Sequence, residues 1–279
     1  MPVSKPSPAP SVPPQNQVAG TAAFSKFMHV LQLVADADGP VNVASLMRAS
    51  GYPRPTVHRI VAALISEGLL GENERGATLA LGPRLIQLAS RSWGRSELRL
   101  AAVDELKRLR DITGETVHLA VPSGRNMVFI EKLESTSAVC MSSRIGTSVS
   151  LHSTAVGKAY LAALDDAACA EVLASLPSPL PRHTEHTTVE TAALKTQIAL
   201  AGSRGWAVDD EENEAGIHCF GAAIVNAQGR PVAAISVSTL LFRQKADPQT
   251  AYVAPLLEAC RIISERIAQA PSLADGQAL

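Results

Sequence analysis

The stretch PVNVASLMRASGYPRPTVHRIVAALISEGLLGENERGATLALG, residues 40–82, decides the fold of the first part of the chain. Asn42 carries a side-chain oxygen that can accept a bond from an orphan N–H of a following turn, so it reads as an N-cap. The helix it starts, over residues 43–49, buries Leu46 and Met47. Gly51 then stops it, since glycine takes the left-handed conformation that ends helices. A second helix opens at Arg54-Pro55-Thr56, with Pro55 suited to the first helical position, where no N–H partner is needed. Val57, Ile60, Val61, Leu64 and Ile65 form one apolar stripe on it. Thr56, His58, Arg59 and Ala62 lie off that stripe, and Gly68 ends the helix. Residues 69–81 fit a two-stranded wing with a polar tip at 71–76. This is the layout of a winged helix-turn-helix, which places its second helix in the major groove of DNA. Upstream, Phe24, Phe27, Met28, Leu31 and Val34 are spaced to pack beneath the reading helix. Arg54, Thr56, His58 and Arg59, with Arg75 on the wing, are the candidate DNA contacts.

Outward from this unit, charge divides the chain. Residues 21–95 hold eight Lys/Arg against five Asp/Glu, a net of +3, whereas residues 96–279 hold 16 against 21, a net of −5. A basic module beside an acidic one fits phosphate binding by the first alone. A charge of +3 is modest for that task, which implies a dimer that doubles the phosphate contacts. Residues 1–20 contain six prolines among Ser, Ala and Gln, a disordered tail. Residues 271–279 read as a frayed end. Cys140, Cys169, Cys219 and Cys260 show no C-x-x-C spacing and suit a reduced, cytoplasmic protein. No apolar run reaches membrane length, and no signal-peptide core opens the chain.

The remaining residues alternate hairpins with helices. A connecting helix fits residues 82–92, a hinge 93–95 and an amphipathic helix 98–112. Residues 116–121 and 126–133 read as a hairpin, with Val117, Leu119 and Val121 inward, and residues 138–143 as a third strand. Helices fit 154–164, 167–176 and 191–203, strands 206–210, 220–226 and 231–240, and a last helix about 248–270. Antiparallel hairpins with helices between them argue for an α+β fold. The chain therefore divides into a tail (1–20), a winged helix-turn-helix (21–82), a linker helix and hinge (83–97), a second domain (98–270) and a second tail (271–279).

Five motifs, in order, carry a family resemblance: PTVHRIVAAL at 55–64, LGPRL at 81–85, LHSTAVGKA at 151–159, GWAVDDEENEAGIHCFGAAI at 205–224 and AAISVS at 233–238. Over about residues 21–270 the chain resembles the IclR-type bacterial transcriptional regulators. The resemblance implies a winged helix-turn-helix, a helical linker and a GAF-like effector domain with an antiparallel sheet. It also implies a homodimer or homotetramer on a palindromic double-stranded operator, with RNA polymerase as a further partner. The family often has Ser where Pro55 stands and Tyr where Leu79 stands, which alters backbone contacts to DNA.

The segment 151–159 has its own logic. Ser153 and Thr154 can cap the helix that begins there, and a helix N-terminus favours a carboxylate. By resemblance, Ala155 and Val156 present N–H groups to a small carboxylate effector, and Asp209, Cys219, Ser236 and Ser238 supply polar contacts. Met141, Val149 and Ile217 are apolar walls. Ser236 and Ser238 share one face of a strand. These walls suit a small organic or aromatic acid that controls a catabolic operon. Lys158 reads as structural or at a subunit contact. The acidic run 209–214 reads, on its own, as a solvated loop.

Two other functions compete. One is a small-molecule sensor acting through a protein partner. The other is a hydrolase using Cys219 or Ser153 with a histidine from His152, His183, His186 or His218. His218 and Cys219 are neighbours on one strand and point to opposite faces, which separates base from nucleophile. His183-x-x-His186 lacks a matching ligand pair. The expectation is a regulator with no catalytic residue, metal or cofactor.

Overall fold

The computed structural model describes residues 21–37, 39–73, 78–93, 97–137 and 141–269. The two tails, residues 74–76 of the expected wing tip with Arg75 among them, most of the expected hinge and Cys140 lie outside the described residues, whereas Gly71 and Glu72 of that tip are strand. The chain forms two compact units, residues 1–95 and 96–279.

The first unit begins with α1 (Ala22–Ala35), α2 (Val43–Ser50) and α3 (Arg54–Ser66). Asn42 and Ser45 make a reciprocal capping box on α2: Asn42 Oδ1 accepts from Ser45 N at 2.8 Å, and Ser45 Oγ accepts from Asn42 N at 3.0 Å. Gly51 follows at φ +69°, left-handed as expected. The start of α3 differs by one residue. The Pro53 carbonyl already accepts from Thr56 N and Val57 N, so Arg54 is the first helical residue and Pro55 the second, with no side-chain cap. The strands β1 (Leu70–Glu72) and β2 (Leu79–Leu81) pair antiparallel, with Leu70 opposite Leu81. Val57, Ile60, Val61 and Leu64 pack with Leu46, Leu70 and Leu79 on Val30, Leu31 and Val34 of α1. Ile65 and Met47 are half-buried against this core. Phe24 and Met28, expected inside, are exposed. The packed face runs through Phe27, Val30, Leu31 and Val34, at i, i+3, i+4 and i+7. Met28 stands about 100° round the helix from Phe27, and Phe24 lies a turn before the packed stretch. The helix α4 (Pro83–Trp93) closes this unit.

The second unit is α5 (Glu97–Thr113), β3 (Thr116–Ser123), β4 (Asn126–Leu133), β5 (Ser148–Ser150), α6 (Ala155–Ala163), α7 (Asp166–Ser175), α8 (Thr191–Arg204), β6 (Ala207–Asp210), β7 (Ile217–Val225), β8 (Pro231–Leu240) and α9 (Ala254–Gln269). A π-helical turn, Gln249–Val253, leads into α9. The six strands form one antiparallel sheet in the order β5-β4-β3-β8-β7-β6. Leu106, Leu109, Leu256 and Ile263 of α5 and α9 cover one face over Leu119, Ile235 and Val237. Val156, Leu161, Leu194 and Ile198 of α6 and α8 cover the other over Ala120, Phe129 and Ala234. The central strands are therefore buried on both sides.

Of the expected third strand, residues 138–140 lie outside the described residues, and the remainder is not strand. Residues 141–143 run as loop, and the strand beside β4 is Ser148–Ser150. The carbonyls of Met141 and Ser143 accept from Lys132 Nζ at 2.8 and 2.6 Å, which ties them to a side chain of β4 instead of its backbone. A register shift between Leu119 and Ala120 skips Ile130 and sets Phe129 opposite Ala120, on the side of α6.

Candidate functional site

On α3, Arg54, His58 and Arg59 are exposed, and Thr56 is half-buried. Arg54 Nε approaches His58 Nε2 at 3.4 Å across one turn, so the two side chains share a face. That face flanks the stripe of Val57, Ile60, Val61 and Leu64 by about a quarter-turn, Arg59 lies nearly opposite it, and the core fixes the stripe in place. Rigid seating with a polar outer face is what a groove-reading helix requires. Arg75 lies outside the described residues.

The second unit holds a half-open cavity of about 200 Å³ between the N-terminus of α6 and the sheet. The nine residues expected around a ligand all line it: Met141, Val149, Ala155, Val156, Asp209, Ile217, Cys219, Ser236 and Ser238. They come from one loop and five elements of the fold. Backbone packing brings them together. A Cβ on Gly221 of β7 would stand 2.4 Å from the Ala155 carbonyl oxygen, and one on Gly157 would stand 2.4 Å from the Leu151 carbonyl oxygen. Only glycine at both positions lets the first turn of α6 lie against the sheet and against its own approach loop.

Thr154, not Ser153, caps α6: Thr154 Oγ1 accepts from Gly157 N at 3.1 Å and donates to Ser150 O at 2.6 Å. Ser153 Oγ instead donates to Asn213 Oδ1 at 3.3 Å. The first N–H groups of a helix have no intrahelical acceptor, so Ala155 and Val156 turn a partial positive charge toward the cavity.

Asp209 lines the same cavity. Its Oδ1 accepts from Glu212 N at 2.9 Å and Asn213 N at 3.2 Å, while Oδ2 makes no hydrogen bond among the described residues. Burial pushes its carboxyl up to about 7, against the pull of those N–H groups and of Lys158. Cys219 pairs with Asp209 across β6 and β7. Its thiol is raised well above the ordinary range by burial, with the Asp209 carboxylate adding to the effect. A thiol held protonated is a poor nucleophile.

The acidic run 209–214 is not simply solvated. Glu212 is buried and forms an ion pair with the buried Lys158, whose Nζ also reaches Gln197 Oε1 at 3.3 Å. Thr187 Oγ1 donates to Glu212 O at 2.6 Å, and Thr184 Oγ1 donates to Glu211 O at 2.6 Å. Lys158 thus ties α6 to the loop that carries Asn213 and Glu214 to the cavity, the structural one of its two expected roles. His152 bonds Pro181 O through Nε2 at 2.8 Å, and His183 bonds Ser150 Oγ at 3.0 Å, so both brace loops. His218 Nδ1 bonds Gln244 Oε1 at 3.0 Å. No group of His, Cys, Asp and Glu among the described residues is arranged to hold a metal.

Sequence reasoning missed one cluster in the cavity. His118, Phe129, Ser143 and Thr147 also line it. His118 stacks on Phe129 with ring centroids 4.4 Å apart, and its Nε2 lies 2.8 Å from Ser143 Oγ. Its Nδ1 lies 3.5 Å from Ser238 Oγ. Burial, with the Lys132 ammonium adding to it, pushes the imidazole down to about 3, so the ring is neutral. The available signal is a histidine between Val117 and Leu119, on the strand face that alternation sets opposite to theirs.

The chain matches two family models: IclR helix-turn-helix domain over residues 24–74, and bacterial transcriptional regulator IclR C-terminal over residues 91–265. It is 30% identical over 221 residues to the HTH-type transcriptional regulator XynR of Escherichia coli K12, covering 79% of this chain and 87% of that one. The Thermotoga maritima IclR structure superposes with a TM-score of 0.69 at 29% identity, covering 88% of this chain and 98% of that chain. An IclR homologue of Microbacterium hydrocarbonoxydans, solved in complex with 4-hydroxybenzoate, superposes with a TM-score of 0.72 at 25% identity, covering 89% and 100%.

Proposed function

The chain belongs to the IclR family of bacterial transcriptional regulators, and from that premise we propose how its two units divide the work. The first unit reads a palindromic operator by seating α3 in the major groove, with Arg54, Thr56, His58 and Arg59 facing bases and phosphates and Arg75 as a further DNA contact. The second unit binds a small organic acid. Its carboxylate sits at the N-terminus of α6, where Ala155 and Val156 offer N–H groups, and Asp209, Cys219, Ser236 and Ser238 make the remaining polar contacts. Residues 83–97 link the two. Two copies of the chain supply two reading helices, and effector binding changes how well these match half-sites about 34 Å apart or a multiple of it.

The observation that carries this reading is the cavity itself. It is half open to solvent, set against a helix N-terminus and lined by the nine residues expected there. Its size, below the roughly 300–1,000 Å³ of drug-sized pockets, favours a small metabolite. The stacked rings of His118 and Phe129 give it one flat wall suited to an aromatic acid such as 4-hydroxybenzoate, the ligand of the Microbacterium homologue.

The test is to capture sheared genomic DNA of the source organism on the purified protein and sequence what is retained. One enriched palindrome upstream of an operon is the expected result, and Arg59→Ala abolishes the enrichment while leaving acid binding in place. Absence of any enriched sequence at low salt, with candidate acids added, overturns the operator reading.

A further inference from the structure

The charges around the cavity are not those of an ordinary carboxylate site. Among the described residues, no Lys or Arg lines it, while Asp209 and Glu214 both do. Lys158 is near, but its ammonium is held by Glu212 and Gln197. The positive element left to an incoming carboxylate is the first turn of α6, worth roughly half an elementary charge. Asp209 lines the same cavity, 3% exposed, with Oδ2 free of hydrogen bonds among the described residues.

Two carboxylates brought within a few ångströms in a buried site cannot both stay ionised, and such pairs share one proton. Resting on the effector-pocket reading above, we propose that the pocket takes a monocarboxylate together with one proton, held on Asp209, so that the Asp209 carboxyl donates a hydrogen bond to the bound carboxylate. The proton comes from solvent, and no covalent bond changes in the ligand. The effector class is thereby narrowed to monoanions. A dianion would bring a second charge to a site with one partial positive end.

The groups facing Asp209 are consistent with this assignment. Lys158 approaches from α6, paired to Glu212. Glu214, on the β6–β7 loop, is exposed to water. Cys219 on β7 keeps its proton well above the ordinary thiol range. His118 on β3 stays neutral down to about 3. Asp209 itself titrates at about 7 before any ligand enters, so the proton is taken up near neutrality.

The experiment is calorimetric titration of the full chain with benzoate, 4-hydroxybenzoate and pyruvate as monoanions, and with succinate and terephthalate as dianions. Runs at pH 6 to 8.5 in buffers of different ionisation enthalpy report proton uptake. Uptake rising toward one proton per ligand, and affinity falling toward about tenfold per pH unit above about 7, are expected for the monoanions. Dianions bind at least about tenfold more weakly at pH 8, the size of one charge–charge interaction of about 1.4 kcal/mol. In Asp209→Asn, whose amide donates in place of the acid, the ratio of affinities at pH 6 and pH 8.5 falls to near one. Binding without proton uptake by the unmodified chain overturns the proposal and leaves the pocket reading standing. Failure of every acid to bind the folded chain at every pH overturns both.

Discussion

Gly221 of β7 meets the backbone of Ala155 so closely that a Cβ there would lie 2.4 Å from the Ala155 carbonyl oxygen and 2.5 Å from its carbonyl carbon. The obstacle is backbone, which has no rotamer to yield. The helix N-terminus that faces the cavity is therefore held by a missing side chain.

Gly221→Ala should force α6 away from the sheet. Overpacking of this kind costs about 1–3 kcal/mol, and more where the backbone must move. Denaturant unfolding of the second unit should show that loss, with acid binding reduced at least in proportion. Gly71→Ala, where a Cβ would meet nothing within 4 Å, is the control and should leave both unchanged.

Lys158 and Glu212 are buried together, so removing one strands the other. Lys158→Met should destabilise the second unit by about 3–5 kcal/mol, the usual penalty for an orphaned buried charge. The double variant Lys158→Met/Glu212→Leu should recover most of that loss, since an apolar pair of similar volume leaves no charge behind. If the double variant is no more stable than Lys158→Met, the ion pair is not what the loop depends on.

Opposed titrations meet in the cavity. His118 holds its proton in the native state only below about 3, against an ordinary value of 6.5. The unfolded chain takes up that proton first, so this group's stability is lost as pH falls from 6.5 toward 3. Asp209 does the reverse. Its native value of about 7 exceeds the ordinary 3.8, so the native state keeps a proton that the unfolded chain releases, and stability is lost as pH rises from 3.8 through 7. Between 3.8 and 6.5 the two slopes oppose one another, each at most about 1.4 kcal/mol per pH unit. His118→Gln should therefore tilt the stability profile toward acid, and Asp209→Asn toward neutral pH. Urea midpoints measured from pH 4 to 7 would expose two identical profiles, if the assignment is wrong.

Asn42 anchors the capping box of α2, the first helix of the helix-turn-helix. Asn42→Ala should cost about 1 kcal/mol of first-unit stability, the normal value of an N-cap. Asn42→Ser should cost less, because a hydroxyl still accepts from Ser45 N. Hydrogen exchange of the α2 amides would separate the two variants from each other.

The sequence alone determined whatever is local. The N-cap Asn42, the stop at Gly51 and the stripe Val57, Ile60, Val61 and Leu64 follow from helix geometry, which needs no neighbour to be legible. The motifs at 151–159 and 205–224 then pointed to nine cavity residues that the structure brings together. Tertiary structure decided the rest, because it depends on contacts distant along the chain. Phe24 and Met28 fit a helical period but lie outside the face that the core covers. Residues 138–143 look extended, yet Lys132 takes the carbonyls of Met141 and Ser143, and β4 pairs with Ser148–Ser150 instead. Glu212 sits in a run that reads as solvated until Lys158, 54 positions earlier, is folded onto it. His118 enters the cavity because β3 is covered on both faces, so that the side opposite Val117 and Leu119 faces the α6 pocket. Periodicity can show that a strand has two faces. What covers each face is settled by the packing of elements far apart in sequence.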